Sequence, residues 1–102
     1  MSMNYEVTAK VFKAFCDPSR IMVLELLQSG EKCACVLQEE LNIPQSTLAH
    51  HMKVLCESGI VLGRKEGKWT HYSISEENSK QAMEMLGTLT SVTLSATCNR
   101  CD

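Results

Sequence analysis

Two thiols bracket a single residue at Cys33-Ala34-Cys35, and a second pair, Cys98 and Cys101, stands near the end of the 102-residue chain. Thiolate sulfur is a soft donor that favours trivalent arsenic or antimony, cadmium or lead over magnesium or calcium. A thiol at the start of a helix gains from the unpaired amides there, which stabilise its anion. On a regular helix, side chains two residues apart diverge by about 200°. To grip one ion, Cys33 and Cys35 would then have to unwind or tilt the first turn, so that ligand binding becomes distortion of the helix. Cys98-Asn99-Arg100-Cys101 has spacing for chelation around a turn, for a redox disulfide, or for plain solvent-facing thiols. Cys16 and Cys56 stand alone and read first as small buried apolar residues.

The remaining composition sets the context for those thiols. Six cysteines in a short secreted chain would suggest a disulfide scaffold. Here the amino terminus, Met1-Ser2-Met3-Asn4-Tyr5-Glu6, lacks the basic and then apolar layout of a secretion signal. No apolar run approaches a membrane span, so the expectation is a cytoplasmic protein with free or ligand-bound thiols and no membrane partner. The net charge of −2 is unevenly spread. Residues 45–72 carry Lys53, Arg64, Lys65 and Lys68 against Glu57 and Glu66, a local excess of two positive charges in an otherwise acidic chain. Nucleic acid responds to such a patch rather than to the overall sum.

The elements that would position these groups follow from periodicity and punctuation. Tyr5, Val11, Phe12 and Phe15 share one face of a first helix. Asp17-Pro18 supplies an N-cap and a proline at the first helical position, opening a second helix to Gln28 with a dense apolar set at Ile21, Met22, Leu24, Leu26 and Leu27. A short third helix runs roughly Cys35 to Leu41. After the break at Asn42-Ile43-Pro44, a fourth spans Gln45 to Ser58, with Leu48, His51 or Met52, and Leu55 facing inward and Gly59 as its stop. Ile60-Val61-Leu62 and Thr70 to Ile74 read as strands joined through the tip Lys65-Glu66-Gly67-Lys68. Ser75 caps a last helix, whose stripe of Ala82, Met83, Met85, Leu86, Leu89 and Val92 is wider than one small core needs. The fold expected is mainly α with a small β-hairpin, a winged helix-turn-helix dimerising through its terminal helices. Residues 1–95 form the DNA-binding and dimerisation domain, and residues 96–102 a cysteine-containing tail.

On such a fold the fourth helix reads DNA. Gln45, Ser46, Thr47, His50 and Lys53 are polar residues in its exposed N-terminal part, where recognition helices meet base edges and phosphates. Arg64, Lys65 and Lys68 of the wing are placed for phosphates or the minor groove. His50 and His51 point about 100° apart, so His51 packs inward. Trp69 and Tyr72 read as packing residues, since duplex DNA offers no splayed base.

Asp17-Pro18-Ser19-Arg20, Cys33-x-Cys35, Gln45 through Leu55, Ser58-Gly59-Ile60-Val61 and Arg64-Lys65-Glu66-Gly67-Lys68-Trp69-x-x-Tyr72 follow one another in order. Together they resemble the ArsR/SmtB family of bacterial metal-responsive repressors over nearly the whole chain. The Cys-x-Cys motif is similar to that of the arsenic-responsive branch. The resemblance implies a homodimer that binds operator DNA when metal-free and leaves it when trivalent arsenic or antimony, its inducer, is held by Cys33 and Cys35. That branch often carries a third cysteine where this chain has Gln38, which leaves Cys98, Cys101, Cys16 or Cys56 as candidate third ligands. The Asp and His ligands of the zinc-sensing branch are absent from the last helix, since no histidine follows His71. A redox- or persulfide-responsive, or cadmium- or lead-responsive, repressor of the same fold is the alternative. A thiol oxidoreductase ranks below both, since no strand precedes a Cys-x-x-Cys and no phosphate-cradling loop is present. No organic cofactor and no enzymatic activity are expected.

Overall fold

Short polar side chains open the helices where the sequence offers them. In the computed structural model, which describes residues 4–94, Asn4 caps α1 (Tyr5–Lys13) by accepting from the Val7 amide. Asp17 caps α2 (Pro18–Leu27), its Oδ1 taking the Ser19 amide at 2.8 Å. Next come a two-residue strand, β1 (Lys32–Cys33), the short α3 (Ala34–Leu41), and α4 (Gln45–Glu57). The α3–α4 turn depends on Asn42, which ends α3 in the left-handed region at φ 53°, a conformation that asparagine tolerates better than most residues. Gly59 at φ 82° ends α4 as expected. Strands β2 (Val61–Glu66) and β3 (Trp69–Ile74) form the wing, and Ser75 caps α5 (Glu76–Leu89).

The core lies where these elements meet. Val11 and Ala14 from the α1 region, Val23 and Leu27 of α2, and Leu37 of α3 pack with Leu48, Met52 and Leu55 of α4; Ile60, Val61 and Ala82 complete it. His51 and Met52 are both buried, so the inward face of α4 includes each of them. The apolar set expected of α2 divides: Leu27 is buried and Leu24 and Leu26 half-buried, whereas Ile21 and Met22 are about half exposed, and Val23, outside that set, is fully buried.

Two features differ from expectation. The sheet has three strands in the order β1-β3-β2, because Lys32 and Cys33 pair with Tyr72 and His71. The wing strands also extend farther, leaving only Gly67-Lys68 as the tip. Gly67 takes φ 64° there, the positive φ that tight two-residue hairpins require at their first central residue.

Candidate thiol site and DNA-reading face

Cys33 does not lie inside a helix. It is the N-cap of α3, with extended backbone (φ −71°, ψ 148°), and only Cys35 has entered the first turn. The 200° divergence of two helical neighbours therefore does not apply. The extended cap brings the sulfurs together: Cys35 Sγ donates to Cys33 Sγ at 2.7 Å, and the Cys35 amide donates to the same atom at 3.4 Å. Cys35 is exposed and Cys33 half-buried. The hydrogen bonds from the Cys35 thiol, then from backbone amides, hold the Cys33 thiol below its ordinary pKa. The same sulfur–sulfur bond raises that of Cys35, whose proton it retains. Cys33 is thus the more acidic thiol of the two, and the sulfurs meet without any unwinding of α3.

Residues directly paired across a sheet share a face. Cys33 pairs with His71, and His71 pairs on its other side with Arg64, so the three form a row running from the thiol turn into the wing. A second link reinforces the row. Glu31 grips Arg64 bidentately, with Oε1 to Nη2 at 2.7 Å and Oε2 to Nε at 3.2 Å. Glu66 adds contacts to Arg64 at 3.6 Å and to His71 at 3.4 Å. Arg64, expected to meet phosphates or the minor groove, is held by these two carboxylates. Glu31 and His71 were not singled out in the sequence, because nothing local relates Glu31 to a residue 33 positions away.

The other expected DNA contacts, Gln45, Ser46, Thr47, His50, Lys53, Lys65 and Lys68, are all exposed. Pro44 provides no side-chain cap for α4, so the amides of its first turn stay open to an outside acceptor such as a phosphate. Trp69 is 47% exposed, with Lys68 Nζ 5.9 Å from its ring. Rather than packing the hairpin inward, as expected, Trp69 joins Cys35 and Gln45 at a surface cavity of about 180 Å³ between α3, α4 and the wing. The thiol turn therefore borders the surface that would meet DNA.

A buried arginine fixes the attitude of α4. Arg20 is 6% exposed; its guanidinium donates to the Ala14 and Lys13 carbonyls at 3.3 and 3.1 Å, and to His51 Nδ1 at 3.0 Å. Accepting at Nδ1 places the histidine proton on Nε2, which lies 3.9 Å from Asp17 Oδ1. One cation thus satisfies the open end of α1 and anchors the middle of α4. Arg20 was visible in the sequence only as part of a motif, since arginines rarely sit this deep.

Cys16 is exposed, not buried as its isolation suggested, and Cys56 is half-buried, with burial pushing its thiol pKa up. Among the described residues, no three or more His, Cys, Asp or Glu side chains converge as a metal site. Neither Cys16 nor Cys56 thus joins Cys33 and Cys35 within one chain. Cys98 and Cys101 lie outside the described residues.

Residues 17–62 match the model of the bacterial regulatory protein arsR family. The chain is 41% identical to the arsenical resistance operon repressor of Staphylococcus xylosus, over 74% of its own length and 72% of that protein's. It belongs to the ArsR family. A helix-turn-helix-type transcriptional regulator of Methanocaldococcus jannaschii is 43% identical over 84% of this chain and 98% of its own. A cadmium resistance transcriptional regulatory protein CadC homolog of Staphylococcus aureus is 39% identical over 74% and 64% of the two lengths. The homodimeric winged helix-turn-helix domain of a Mycobacterium bovis protein superposes with a TM-score of 0.68 at 24% identity, over 83% of this chain and 79% of that one. The ArsR chain is thus a DNA-binding transcriptional repressor rather than an enzyme, and its winged helix-turn-helix is the architecture just described.

Proposed function

We propose that this ArsR-family chain is a homodimeric cytoplasmic repressor whose operator complex is dissolved when trivalent arsenic or antimony is chelated by Cys33 and Cys35. The observation that carries this reading is the 2.7 Å approach of two solvent-accessible sulfurs on a turn hydrogen-bonded to the wing. The donor set fits the inducer: two adjacent soft sulfurs suit a thiophilic ion. With bonds of about 2.3 Å from thiolate to metal, one bound ion spreads two sulfurs to roughly 3.5 Å. Cys33 and Cys35 reach that separation by parting less than about 1 Å. The movement falls on the extended cap, whose backbone neighbour on β3 is His71. Release therefore runs through the sheet into the wing, with Glu31 and Arg64 as the second strap.

In the DNA-bound state, Gln45, Ser46, Thr47, His50 and Lys53 face the major groove, and Lys65 and Lys68 face flanking phosphates, with Arg64 beside them held by Glu31. Two such surfaces related by a twofold axis read half-sites about one helical turn apart. The apolar face of α1 and α5 supplies the seam, and the M. bovis protein of like fold is itself homodimeric. Cadmium is the second reading. Thiolates accept it equally well, and a relative is named for cadmium resistance. Cys98 and Cys101, outside the described residues, are the remaining candidate ligands.

Fluorescence anisotropy on the chain's own promoter tests the proposal. Cys33→Ser and Cys35→Ser should each keep operator affinity within about threefold, as serine is a favoured helix cap and substitutions outside the core generally cost little, and lose release by arsenite. A Cys33→Ser/Cys35→Ser double variant that still lets go on arsenite addition overturns it. Parallel titration with antimonite, cadmium and zinc ranks the inducers.

A further inference from the structure

Cys35 stands on the rim of the cavity between α3, α4 and the wing, and the apolar part of that cavity has no role in holding a bare ion. Leu48, Ala49 and Met52 of α4 line it together with Trp69 and Tyr72 of β3. Leu48 and Met52 are buried, while Ala49 and Trp69 are exposed, so the space runs from the surface inward. Its volume of about 180 Å³ is comparable with the roughly 150 Å³ of an engineered protein cavity that admits benzene. Trivalent arsenic forms three bonds, and Cys33 and Cys35 account for two. Gln38, one turn beyond Cys35, lines the same cavity without offering a thiolate.

We infer that the site is built for a mono-organo trivalent arsenical, with the carbon substituent lodged in this cavity. The inference rests on Cys33 and Cys35 being the inducer site. The chemistry is ligand exchange without redox change. A hydrated organoarsenous acid, R–As(OH)2, meets two thiols; two As–O bonds break, two As–S bonds form, and two waters leave carrying the thiol protons. The As–C bond is untouched. The R group then lies between α4 and β3, against the recognition helix on one side and the wing on the other. An aryl substituent wedges apart the two elements that must act together on DNA, an effect a hydroxide ligand does not have.

The test uses the full chain bound to its own promoter and compares phenylarsenous acid, methylarsenous acid and arsenite. Each is measured in competition with a free dithiol, which cancels their intrinsic preference for sulfur. Each buried methylene-sized apolar group is worth about fourfold in affinity. The phenyl compound should therefore release DNA at concentrations on the order of tenfold or more below arsenite, with the methyl compound between them. Trp69 is the sole tryptophan in the chain, so its fluorescence should respond to the phenyl compound and hardly to arsenite. Trp69→Ala should narrow the phenyl-to-methyl gap, and Gln38→Cys should tighten arsenite by supplying a third thiolate. A Cys98→Ser/Cys101→Ser variant should keep the phenyl preference. Equal potency of all three compounds with silent Trp69 fluorescence overturns the inference, yet leaves the Cys33/Cys35 inducer site standing. Failure of every compound to add mass at Cys33 and Cys35 removes both.

Discussion

The two sulfurs of the Cys33–Cys35 turn are chemically unequal because of where the helix begins. Cys33, as the cap, receives hydrogen bonds from the Cys35 thiol and from first-turn amides, whereas Cys35 spends its proton on Cys33. The thiolate is the reactive form of a thiol, so Cys33 should alkylate several-fold faster than Cys35 with iodoacetamide near neutral pH. Its rate should reach half-maximum at a pH below that of an ordinary thiol. Cys56, whose burial raises its pKa, should react after both. The leading cause of the Cys33 shift is the Cys35 S–H donor. Cys35→Ala should therefore move the Cys33 midpoint upward, a change readable by peptide mass spectrometry across a pH series. Labelling of Cys35 first, or a Cys33 midpoint unmoved in that variant, would show that the cap does not polarise the pair.

At the scale of elements, the wing is tied to the thiol turn by one strand pairing and one bidentate ion pair. An exposed ion pair contributes about 0–1 kcal/mol to stability, so Glu31→Gln should leave the melting temperature nearly unchanged. Its effect belongs to DNA. Freed from Glu31, Arg64 can reach a phosphate, and each added phosphate contact steepens the salt dependence of log K by about 0.9. Glu31→Gln should thus bind operator several-fold more tightly at low salt, with that steeper slope, and need more inducer for release. A slope equal to wild type would mean that Arg64 never reaches DNA. Local chemistry announced most of this architecture: Asp17-Pro18, Ser75 and Gly59 mark their boundaries through capping and positive φ, and the two runs flanking the tip Lys65-Glu66-Gly67-Lys68 mark the wing. The start of α3 was less legible, because cysteine is not among the side chains that habitually cap helices. Treating Cys33 and Cys35 as neighbours on a regular helix led to the expectation of unwinding. β1 was hidden for a different reason: two residues carry no periodicity, and only their partners on β3 make them a strand.

For the molecule as a whole, the apolar stripe of α5 outruns its own core. Ala82 is buried and Met85 packs against the core, but Met83, Leu86 and Leu89 are 73%, 51% and 50% exposed. Met83 and Leu86 adjoin Phe12 and Phe15 at a groove of about 500 Å³, and Tyr5 and Val7 of α1 are likewise exposed. Solvent contact on this scale along two terminal helices is costly. Burying each large apolar side chain fully is worth about 1.5–3 kcal/mol, enough for a twofold seam to hold at ordinary protein concentrations. Met83→Glu/Leu86→Glu places two like charges per chain on that seam, while touching neither the buried Ala82 nor the thiol turn. Light scattering coupled to size exclusion should then report a dimer for the wild type and a monomer for the variant, with helix content by circular dichroism preserved. The monomer should still chelate arsenite at Cys33 and Cys35, because both thiols of the pair belong to one chain. It should lose most of its affinity for a palindromic operator, since each half-site alone keeps only one recognition helix. A wild-type chain that is already monomeric at micromolar concentration, or a charged variant that stays dimeric, would move the interface away from α1 and α5 and leave this apolar face unexplained.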